Sequence, residues 1–353
     1  MNKKIKVGSH LITDESPAYI IAEMSGNHNM DFERAKNIIA AAAEAGADAI
    51  KIQTYTPDTI TIDCDDDIFK AQSKIWEGMT LYRLYQTAYT PWEWQAELRD
   101  YALELGLEFF SSPFDHTAVD FLEKLDVPAY KVASFEINDI PLIRRIAETG
   151  KPIIISTGIA YLEDIDLALR TCKKVGNDNV ILLKCVSAYP APYDEMNLRT
   201  IPNMAQTFEC ITGLSDHSLG TETAIASVAL GGKVIEKHLT LKRSDGGPDA
   251  AFSMEPEEFK HMVDQIRNVE KALGRATYEL NEKQIENRDG ARSLFVVKDV
   301  RKGERFTVEN VRSIRPNAGM HTKYYDKVLG QTANRDLIKG TPMDWKYIEF
   351  EDK

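Results

Sequence analysis

Gly213-Leu-Ser-Asp-His217 and Val234-Ile-Glu-Lys-His238 are the two stretches of sequence that decide the fold. Each closes a short apolar run with a histidine, and residues 219–232 between them are rich in alanine and end in Gly-Gly. The pattern predicts a strand, a helix and a second strand, with an imidazole at the exit of each strand. In a parallel pair those exits lie about 5 Å apart, so His217 and His238 could share one divalent cation and leave most of its coordination sphere open. The alternative is two polar residues that merely end buried strands.

The same strand-helix pattern extends along most of the chain and predicts a (β/α)8 TIM barrel. The predicted strands are residues 19–23, 49–53, 108–112, 129–134, 152–157, 180–185, 210–215 and 234–238. Eight alternating units in one run favour a barrel over residues 1–274 rather than an open doubly wound sheet. Residues 54–91 form a connection too long for an ordinary strand-to-helix loop, so we expect it to cap the top of the barrel.

A different pattern begins after the barrel. Residues 275–290 are polar and weak in helix signal, which predicts a linker. Residues 291–353 contain short strand-like runs separated by turn residues such as Lys302-Gly-Glu. They predict a small, mostly β domain, whose size makes it marginal alone, so we expect it to dock on another surface.

Composition restricts the class of protein and its partners. The chain has 353 residues, 43% of them hydrophobic, and a formal net charge of -12. This acidic balance argues against a nucleic-acid or anionic-membrane partner, because both need a basic surface. No run is long enough to span a bilayer, and the four cysteines show no CxxC spacing. A protein with reduced thiols in the cytoplasm is therefore expected.

The ends of the predicted strands carry the residues expected to act chemically, because barrel chemistry lies at the C-terminal ends of the strands. Lys51 and Lys131 would be costly to bury unless an anion met them. Hydroxyl donors suited to phosphate oxygens stand at Ser112, Ser134, Ser156, Ser187 and Ser215. Glu23 and Glu136 could transfer protons or hold a sugar hydroxyl. The set predicts a phosphorylated, carboxylated substrate beside a metal-polarised carbonyl, although any single serine would also suit simple packing.

Several motifs together resemble one known family. They are Ile21-Ala-Glu-Met-Ser-Gly-Asn-His-Asn29, Ala49-Ile-Lys-Ile-Gln-Thr54, Phe110-Ser-Ser-Pro-Phe114, Ala129-Tyr-Lys-Val-Ala-Ser-Phe-Glu136, Gly213-Leu-Ser-Asp-His217 and Ile235-Glu-Lys-His238. On these motifs, which cover nearly the whole chain in order, the sequence resembles the sialic acid synthase (NeuB-like) family. The last sixty residues resemble that family's small antifreeze-like (SAF) domain.

The resemblance implies a reaction and a set of residue roles. Phosphoenolpyruvate would add through C3 to the aldehyde of an open-chain acetamido sugar, water would attack C2, and phosphate would leave. The implied catalytic residues are Glu23, Lys51, Glu136, His217 and His238, with Mn²⁺ (or Mg²⁺ or Co²⁺) held by the two histidines. Phosphoenolpyruvate would be bound by Lys51, Ser112, Lys131, Ser134, Ser156, Ser187 and Ser215. The sugar would be bound by Gln53, Tyr189, Asp249 and Arg315, the last of them from the partner subunit. At residue 187 many relatives have asparagine, so this phosphate contact departs from the family pattern.

The resemblance also implies a partner and an acceptor. It implies a domain-swapped homodimer, in which the SAF domain covers the partner's barrel mouth. Residues 51–61, 81–85 and 252–259 resemble the pseudaminic acid synthase branch, which implies 2,4-diacetamido-2,4,6-trideoxy-altrose as acceptor and a role in bacterial surface-glycan synthesis. Such a 6-deoxy sugar needs an apolar patch, which Phe252 or Met254 near Asp249 could supply.

Other functions compete with this interpretation. An N-acetylneuraminate or legionaminic acid synthase would use the same chemistry on another sugar. A metal-dependent barrel aldolase or sugar isomerase would fit the histidine pair but leave the paired lysines and the serines unexplained. A non-catalytic carbohydrate- or anion-binding barrel would explain the fold alone.

Overall fold

Eight parallel strands, with helices between them, make up most of the first 274 residues. The computed structural model describes residues 1–71 and 78–349, and the chain divides into two units, Met1–Gly274 and Arg275–Lys353. The strands of the first unit are β1 (Lys4–Val7), β2 (His10–Thr13), β3 (Tyr19–Glu23), β4 (Ala49–Thr54), β5 (Glu108–Pro113), β6 (Tyr130–Val132), β7 (Ile153–Ser156), β8 (Val180–Cys185), β9 (Ile211–Asp216) and β10 (Val234–His238). Its helices are α1 (Phe32–Glu44), α2 (Pro57–Ile60), α3 (Leu81–Ala88), α4 (Trp92–Glu104), α5 (His116–Lys124), α6 (Ile140–Ala147), α7 (Leu162–Lys174), α8 (Thr200–Phe208), α9 (Glu222–Ala229) and α10 (Pro256–Leu273).

Strands β3 to β10 form a closed parallel barrel. They pair in chain order, and β10 closes the ring by pairing with β3. The predicted (β/α)8 fold is therefore confirmed. The predicted strands at residues 19–23, 180–185 and 234–238 coincide with β3, β8 and β10, and the other five differ by one or two residues at one or both ends.

Close packing of β9 and β10 brings the two histidine-bearing strands together. Every residue of β9 and of β10 is buried, as expected for parallel strands covered on both faces. Gly213 lies opposite Val234, and a Cβ at residue 213 would overlap the backbone of Val234. Glycine at this position therefore permits the close approach of the two strands.

An antiparallel hairpin of β1 and β2, which the strand pattern did not predict, precedes the barrel. Its buried residues Ile5, Val7 and Ile12 belong to the same hydrophobic core as the barrel strands. The backbone amide of Ser9 donates to Glu108, the first residue of β5, at 2.6 Å. The hairpin therefore covers the N-terminal end of the barrel, away from the strand exits.

The long connection after β4 reaches the C-terminal end of the barrel. Its described part contains α2 and α3, whereas residues 72–77 lie outside the described residues. The buried ring of Tyr55 lies 5.5 Å from that of Tyr85 and 5.1 Å from that of Phe114, which follows β5 (centroid distances). Ala88 lies beside Gly26, which follows β3. This segment therefore lies over loops that follow two of the strands.

The second unit has a small core of its own. Side chains at residues 275–292 are exposed, and α11 (Glu282–Glu286) lies within the predicted linker. Beyond it, β11 (Ser293–Val296) pairs antiparallel with β12 (Val311–Ile314), α12 spans Tyr325–Val328, and β13 (Thr332–Ala333) pairs with β14 (Ile348–Glu349). Leu294, Phe306 and Met343 are among its buried apolar residues. The small, mostly β character predicted for this region is confirmed. Across the described parts of both units, no helix has the length and apolar character needed to cross a membrane.

Candidate active site

Buried polar side chains fill the C-terminal end of the barrel. Residues that share a rung of a parallel sheet point to the same face, and here Lys51 lies opposite Glu23 and Glu236 opposite Ser215. Polar residues at the strand exits that are at most 7% exposed include Glu23, Lys51, Ser112, Lys131, Ser134, Ser156, Ser215, His217, Glu236 and His238. The structure thus brings most of the predicted site residues to one end of the barrel.

Two buried ammonium groups form the centre of this site. The Lys51 Nζ lies 2.5 Å from Glu23 Oε2 and donates to Ser112 Oγ at 3.2 Å. The Lys131 Nζ donates to Ser156 Oγ at 2.7 Å. Glu236 Oε1 lies 3.8 Å from each of the two Nζ atoms. One carboxylate therefore serves both lysines, and within residues 1–71 and 78–349 its second oxygen, Oε2, is buried without a hydrogen-bond partner.

Burial and neighbouring charges shift the pKa values of these groups in different directions. Burial raises the pKa of Glu23 to about 7, with Lys51 opposing the rise and Glu236 adding to it. Burial also acts on Glu236, but Lys131 and Lys51 outweigh it and hold its pKa below the usual value. Burial acts to lower the pKa of Lys51, but the charges of Glu23 and Glu236 outweigh it and leave this pKa raised. At Lys131 the effect of burial is the larger one, and the pKa is lowered. Glu236 is therefore the firm counter-charge, and Glu23 titrates near neutrality.

The serine hydroxyls lie around these lysines in a tightly packed arrangement. Ser187 Oγ donates to Ser134 Oγ at 2.8 Å, and Ser134 Oγ also accepts from the backbone amide of Ile159 at 3.0 Å. A Cβ at Gly158 would overlap both hydroxyl groups and lie 2.9 Å from the Cys185 sulfur. Glycine at residue 158 therefore leaves the space in which these donors converge.

The predicted histidine pair lies beside the lysines. The ring centroids of His217 and His238 are 5.3 Å apart. His217 Nδ1 donates to the carbonyl oxygen of Val186 at 3.1 Å, which leaves Nε2 as the ring nitrogen that could bind a metal. Burial acts to lower the pKa of this imidazole, but Cys185 and the Val186 carbonyl leave it raised. His238 Nδ1 is buried and has no hydrogen-bond partner among the described residues. Burial, followed by the charges of His217 and Lys51, holds the pKa of His238 well below its ordinary value.

The positions of the two imidazoles fit an open divalent-cation site. Imidazole nitrogen is a common ligand of divalent metals, and the buried, unpaired Nδ1 of His238 is the kind of atom that a metal would satisfy. Within residues 1–71 and 78–349, no group of three or more His, Cys, Asp or Glu side chains is arranged to hold a metal. The candidate cation site therefore rests on the pair of imidazoles.

Three of the residues implied for sugar binding, Gln53, Asp249 and Tyr189, contact residues at the C-terminal end of the barrel. Gln53 Nε2 donates to Glu23 Oε1 at 3.2 Å. Asp249 accepts from the backbone amide of Gly26 at 3.1 Å, and burial raises the pKa of its carboxyl. The ring of Tyr189 lies 4.5 Å from that of His217. Arg315 directly follows β12 in the second unit, and its role across a dimer stays a prediction.

Glu136 is the second carboxyl implied for proton transfer. It lies in the turn that follows β6, and its Oε2 is buried without a hydrogen-bond partner in the part of the chain that the structure describes. Burial raises its pKa to about 7, although the positive charge of Lys131 opposes the rise. At neutral pH this carboxyl can therefore both lose and accept a proton.

Sequence reasoning assigned no role to several residues that shape this site. Glu236 stands two residues before His238 and so shares its face of β10, a signal that the sequence already contained. Cys185 Sγ lies 3.7 Å from His217 Nδ1. The sequence predicts a sugar contact for Phe252, and its ring centroid lies 5.0 Å from those of both His238 and Tyr189.

A closed parallel barrel with buried lysines and paired imidazoles at its strand exits is the arrangement of a barrel enzyme that acts on an anionic substrate. The sequence profile of the NeuB family matches residues 38–278, and that of the SAF domain matches residues 291–349. The chain belongs to the NeuB family. It is 45% identical to the pseudaminic acid synthase of Helicobacter pylori, over 94% of this chain and 98% of that protein.

A more distant relative and a solved structure agree with this assignment. The N,N'-diacetyllegionaminic acid synthase of Legionella pneumophila is 35% identical, over 94% of each chain. The crystal structure of the N-acetylneuraminic acid synthetase from Leptospira borgpetersenii, solved with citrate, is 31% identical and aligns with a TM-score of 0.72. That alignment covers 81% of this chain and 95% of the other.

Proposed function

We propose that this protein is a transferase that makes pseudaminic acid. It condenses phosphoenolpyruvate with the open-chain form of 2,4-diacetamido-2,4,6-trideoxy-altrose and water, and it releases phosphate. The observation that carries the proposal is the pair of buried ammonium groups of Lys51 and Lys131, which lies beside two imidazoles. The similarity to pseudaminic acid synthases along almost the whole chain supports this choice of product.

Phosphoenolpyruvate would bind at the two lysines and the surrounding hydroxyl groups. Burial of two ammonium groups is costly unless anions meet them, and here one carboxylate, that of Glu236, is shared between both. Phosphate and carboxylate oxygens accept strong charge-assisted hydrogen bonds from ammonium groups. Serine hydroxyl groups, which already contact Lys51, Lys131 and one another, would donate to the remaining oxygens.

Proton transfer would fall to Glu23 and Glu136. A phosphate beside Lys51 competes with Glu23 for the ammonium group, and Glu23 can take up a proton readily because its pKa is already about 7. Neutral Glu23 can then supply a proton to the alkoxide that forms when C3 bonds to the aldehyde carbon. Glu136, with a pKa of about 7, would take the proton of the water that adds at C2. Loss of phosphate from C2 then gives the 2-keto acid.

A divalent cation is part of the proposal, since synthases of this family are generally metal-dependent. His217 and His238 would hold it, and Mn²⁺ is the proposed ion. When bound there, the cation would polarise the aldehyde oxygen of the acceptor as a Lewis acid.

An apolar wall beside the imidazoles supports a 6-deoxy acceptor. Phe252 is 2% exposed, and it contacts His238 and Tyr189. We assign the methyl group at C6 of the sugar to this wall. Phe252→Ala should lower the preference for the 6-deoxy acceptor over one with a hydroxymethyl group by a few-fold, because one buried carbon contributes about 0.8 kcal/mol. An unchanged preference would count against this assignment.

A homodimer would complete the site. Large apolar side chains are exposed on the segments that follow β6, β7, β8 and β9, namely Phe135, Ile159, Tyr161, Leu162 (the first residue of α7), Tyr193 and Leu219. Exposed apolar rims of this kind are typical of protein-protein contacts. We propose that the partner's SAF domain covers this rim and delivers Arg315 of the partner subunit to the sugar.

A panel of acceptor sugars tests the proposed function. Purified protein is incubated with phosphoenolpyruvate, Mn²⁺ and each acetamido sugar, and phosphate release and product mass are measured. Release that requires both Mn²⁺ and the 2,4-diacetamido-6-deoxy-altrose is expected. Faster release with the acceptor of a legionaminic acid or N-acetylneuraminate synthase would reassign the product. Carbon-carbon bond formation without phosphoenolpyruvate would indicate an aldolase, and no reaction would indicate a binding protein.

A further inference from the structure

A buried ion pair lies on the outer face of the barrel, directly behind the two imidazoles. Asp216 is the last residue of β9 and Lys237 the penultimate residue of β10, and they are direct partners in the strand register. Each is 1% exposed. His217 and His238 directly follow these two residues, so this is the last paired rung of β9 and β10 before the imidazoles.

The carboxylate of Asp216 holds the backbone on both sides of His217. Its Oδ1 accepts from the backbone amide of Ser218 at 2.9 Å and from the Ser218 hydroxyl at 2.7 Å. The first of these bonds closes an Asx turn whose central residue is His217. The turn fixes the direction in which the imidazole leaves the strand.

Lys237 joins this turn to the neighbouring strand. Its Nζ donates to Asp216 Oδ2 and to the backbone carbonyl of Ser218, both at 2.7 Å. Thr223, in the first turn of α9, donates to the same Oδ2 at 2.6 Å. Asp216 therefore accepts four hydrogen bonds. The ammonium group of Lys237 contacts Asp216 and Ser218, the residues on either side of His217, and Lys237 itself directly precedes His238.

The preceding outward rung of the same two strands shows that packing alone does not require charges here. That rung consists of Leu214 opposite Ile235, both fully buried. A buried ion pair is often no more stabilising than apolar side chains of similar size, and its best-supported use is to fix one arrangement. The change from an apolar rung to an ionic one occurs at the position that sets the imidazole spacing.

We infer that Asp216 and Lys237 are positioning residues that hold His217 and His238 at the spacing required for a shared divalent cation. This inference rests on the proposed metal site and adds residues that do not touch the metal or the substrates. Residues that orient metal ligands typically change metal affinity by about 10- to 100-fold when they are replaced.

The test is the affinity of the substrate-free protein for Mn²⁺, measured by electron paramagnetic resonance of the free ion. Asp216→Leu combined with Lys237→Met removes both charges and keeps apolar bulk at each position. We expect this double variant to fold, as judged by circular dichroism and thermal unfolding, and to bind Mn²⁺ about 10- to 100-fold more weakly. Excess Mn²⁺ should then restore much of its turnover, which a general loss of structure would not allow.

The matched control is the preceding rung, with Leu214→Val and Ile235→Val. It should lower thermal stability and leave Mn²⁺ affinity unchanged. A folded Asp216→Leu, Lys237→Met variant with wild-type Mn²⁺ affinity would overturn the inference. A control variant that loses as much Mn²⁺ affinity as this double variant would overturn it as well. If the double variant does not fold, the Mn²⁺ affinity of Asp216→Asn is measured instead. Asparagine keeps the side-chain shape and one acceptor oxygen, so this variant should fold, but it removes the charge that pairs with Lys237. Wild-type affinity in that variant would also overturn the inference.

Two further variants separate this inference from the proposed function. Wild-type protein should bind Mn²⁺, and His217→Ala and His238→Ala should each abolish that binding. If the wild type binds no Mn²⁺, or the histidine variants bind it normally, the proposed metal site is wrong and the inference fails with it. If the histidine variants lose Mn²⁺ binding and the variants at Asp216 and Lys237 keep it, the inference alone is wrong.

Discussion

Replacing Lys51 by methionine tests whether a buried ammonium group binds phosphoenolpyruvate. Lys51 is 2% exposed, and its Nζ contacts Glu23 at 2.5 Å and Ser112 at 3.2 Å. Methionine keeps most of the side-chain volume and removes the charge and the donors. The affinity for phosphoenolpyruvate should therefore fall while the shape of the barrel interior is kept.

The size of the effect follows from the contacts that are lost. A hydrogen bond that involves a charged group contributes about 1.5–3 kcal/mol, which corresponds to roughly a 12- to 140-fold change in Kd at about 1.4 kcal/mol per factor of ten. Loss of one partner from a buried ion pair also destabilises a protein by about 3–5 kcal/mol. Glu23 limits that cost here, because its pKa of about 7 lets it take up a proton once Lys51 is absent.

Isothermal titration of phosphoenolpyruvate into the Mn²⁺-loaded protein, without acceptor sugar, measures the effect. The double variant Lys51→Met, Glu23→Gln should be more stable than Lys51→Met, because neither charge of the Lys51–Glu23 pair remains. Its affinity for phosphoenolpyruvate should stay as low as that of Lys51→Met. Lys184→Met is the matched control, since Lys184 lies on β8 and its Nζ donates to the backbone carbonyl of Cys185. Wild-type affinity in Lys51→Met, or an equal loss in Lys184→Met, would refute the reasoning.

Three other predictions concern single residues. Glu136→Gln should raise the free energy of unfolding by about 3 kcal/mol above pH 7 and leave it unchanged in acid. Burial raises the pKa of the Glu136 carboxyl from 4.5 in the unfolded chain to about 7 in the folded protein. The folded wild type therefore loses stability as the pH rises from 4.5 to 7, whereas the neutral glutamine does not. Urea unfolding at several pH values checks this, and a pH-independent difference would contradict it. Gly158→Ala should weaken phosphoenolpyruvate binding and leave Mn²⁺ affinity intact, because its Cβ would overlap the hydroxyls of Ser134 and Ser187; unchanged titrations with phosphoenolpyruvate would show that this space is not used. Arg315→Ala mixed with His217→Ala should regain turnover in heterodimers, and failure to complement would place Arg315 on its own barrel.

The barrel and the histidine pair were predictable from the sequence for a physical reason. Strands of a parallel barrel are buried on both faces, so they appear as apolar runs such as residues 153–155, and polar residues stand out where those runs end. Many helices also end at a glycine with positive φ, for example Gly46 and Gly176, which marks the length of each unit. These signals are local and do not depend on which strands meet.

The features that the sequence did not reveal depend on register or carry weak local signals. The hairpin strand β1 has charged residues at every second position, Lys4 and Lys6, and is only four residues long. Glu236 becomes the shared counter-ion of two lysines only because β10, β4 and β6 surround the same space. The pairing of Asp216 with Lys237 likewise requires the exact rung at which β9 meets β10, which no single run of residues specifies.

The central claim is that the imidazole pair and the ammonium pair form one site. The most direct measurement is the relaxation of the phosphorus nucleus of bound phosphoenolpyruvate by Mn²⁺. We predict strong Mn²⁺-dependent relaxation in the wild-type protein, absent with Mg²⁺ and lost when His217 and His238 are both replaced by alanine. Phosphoenolpyruvate that binds tightly to Mn²⁺-loaded protein and shows no Mn²⁺-dependent relaxation would place the metal and the phosphate in separate sites and contradict the account.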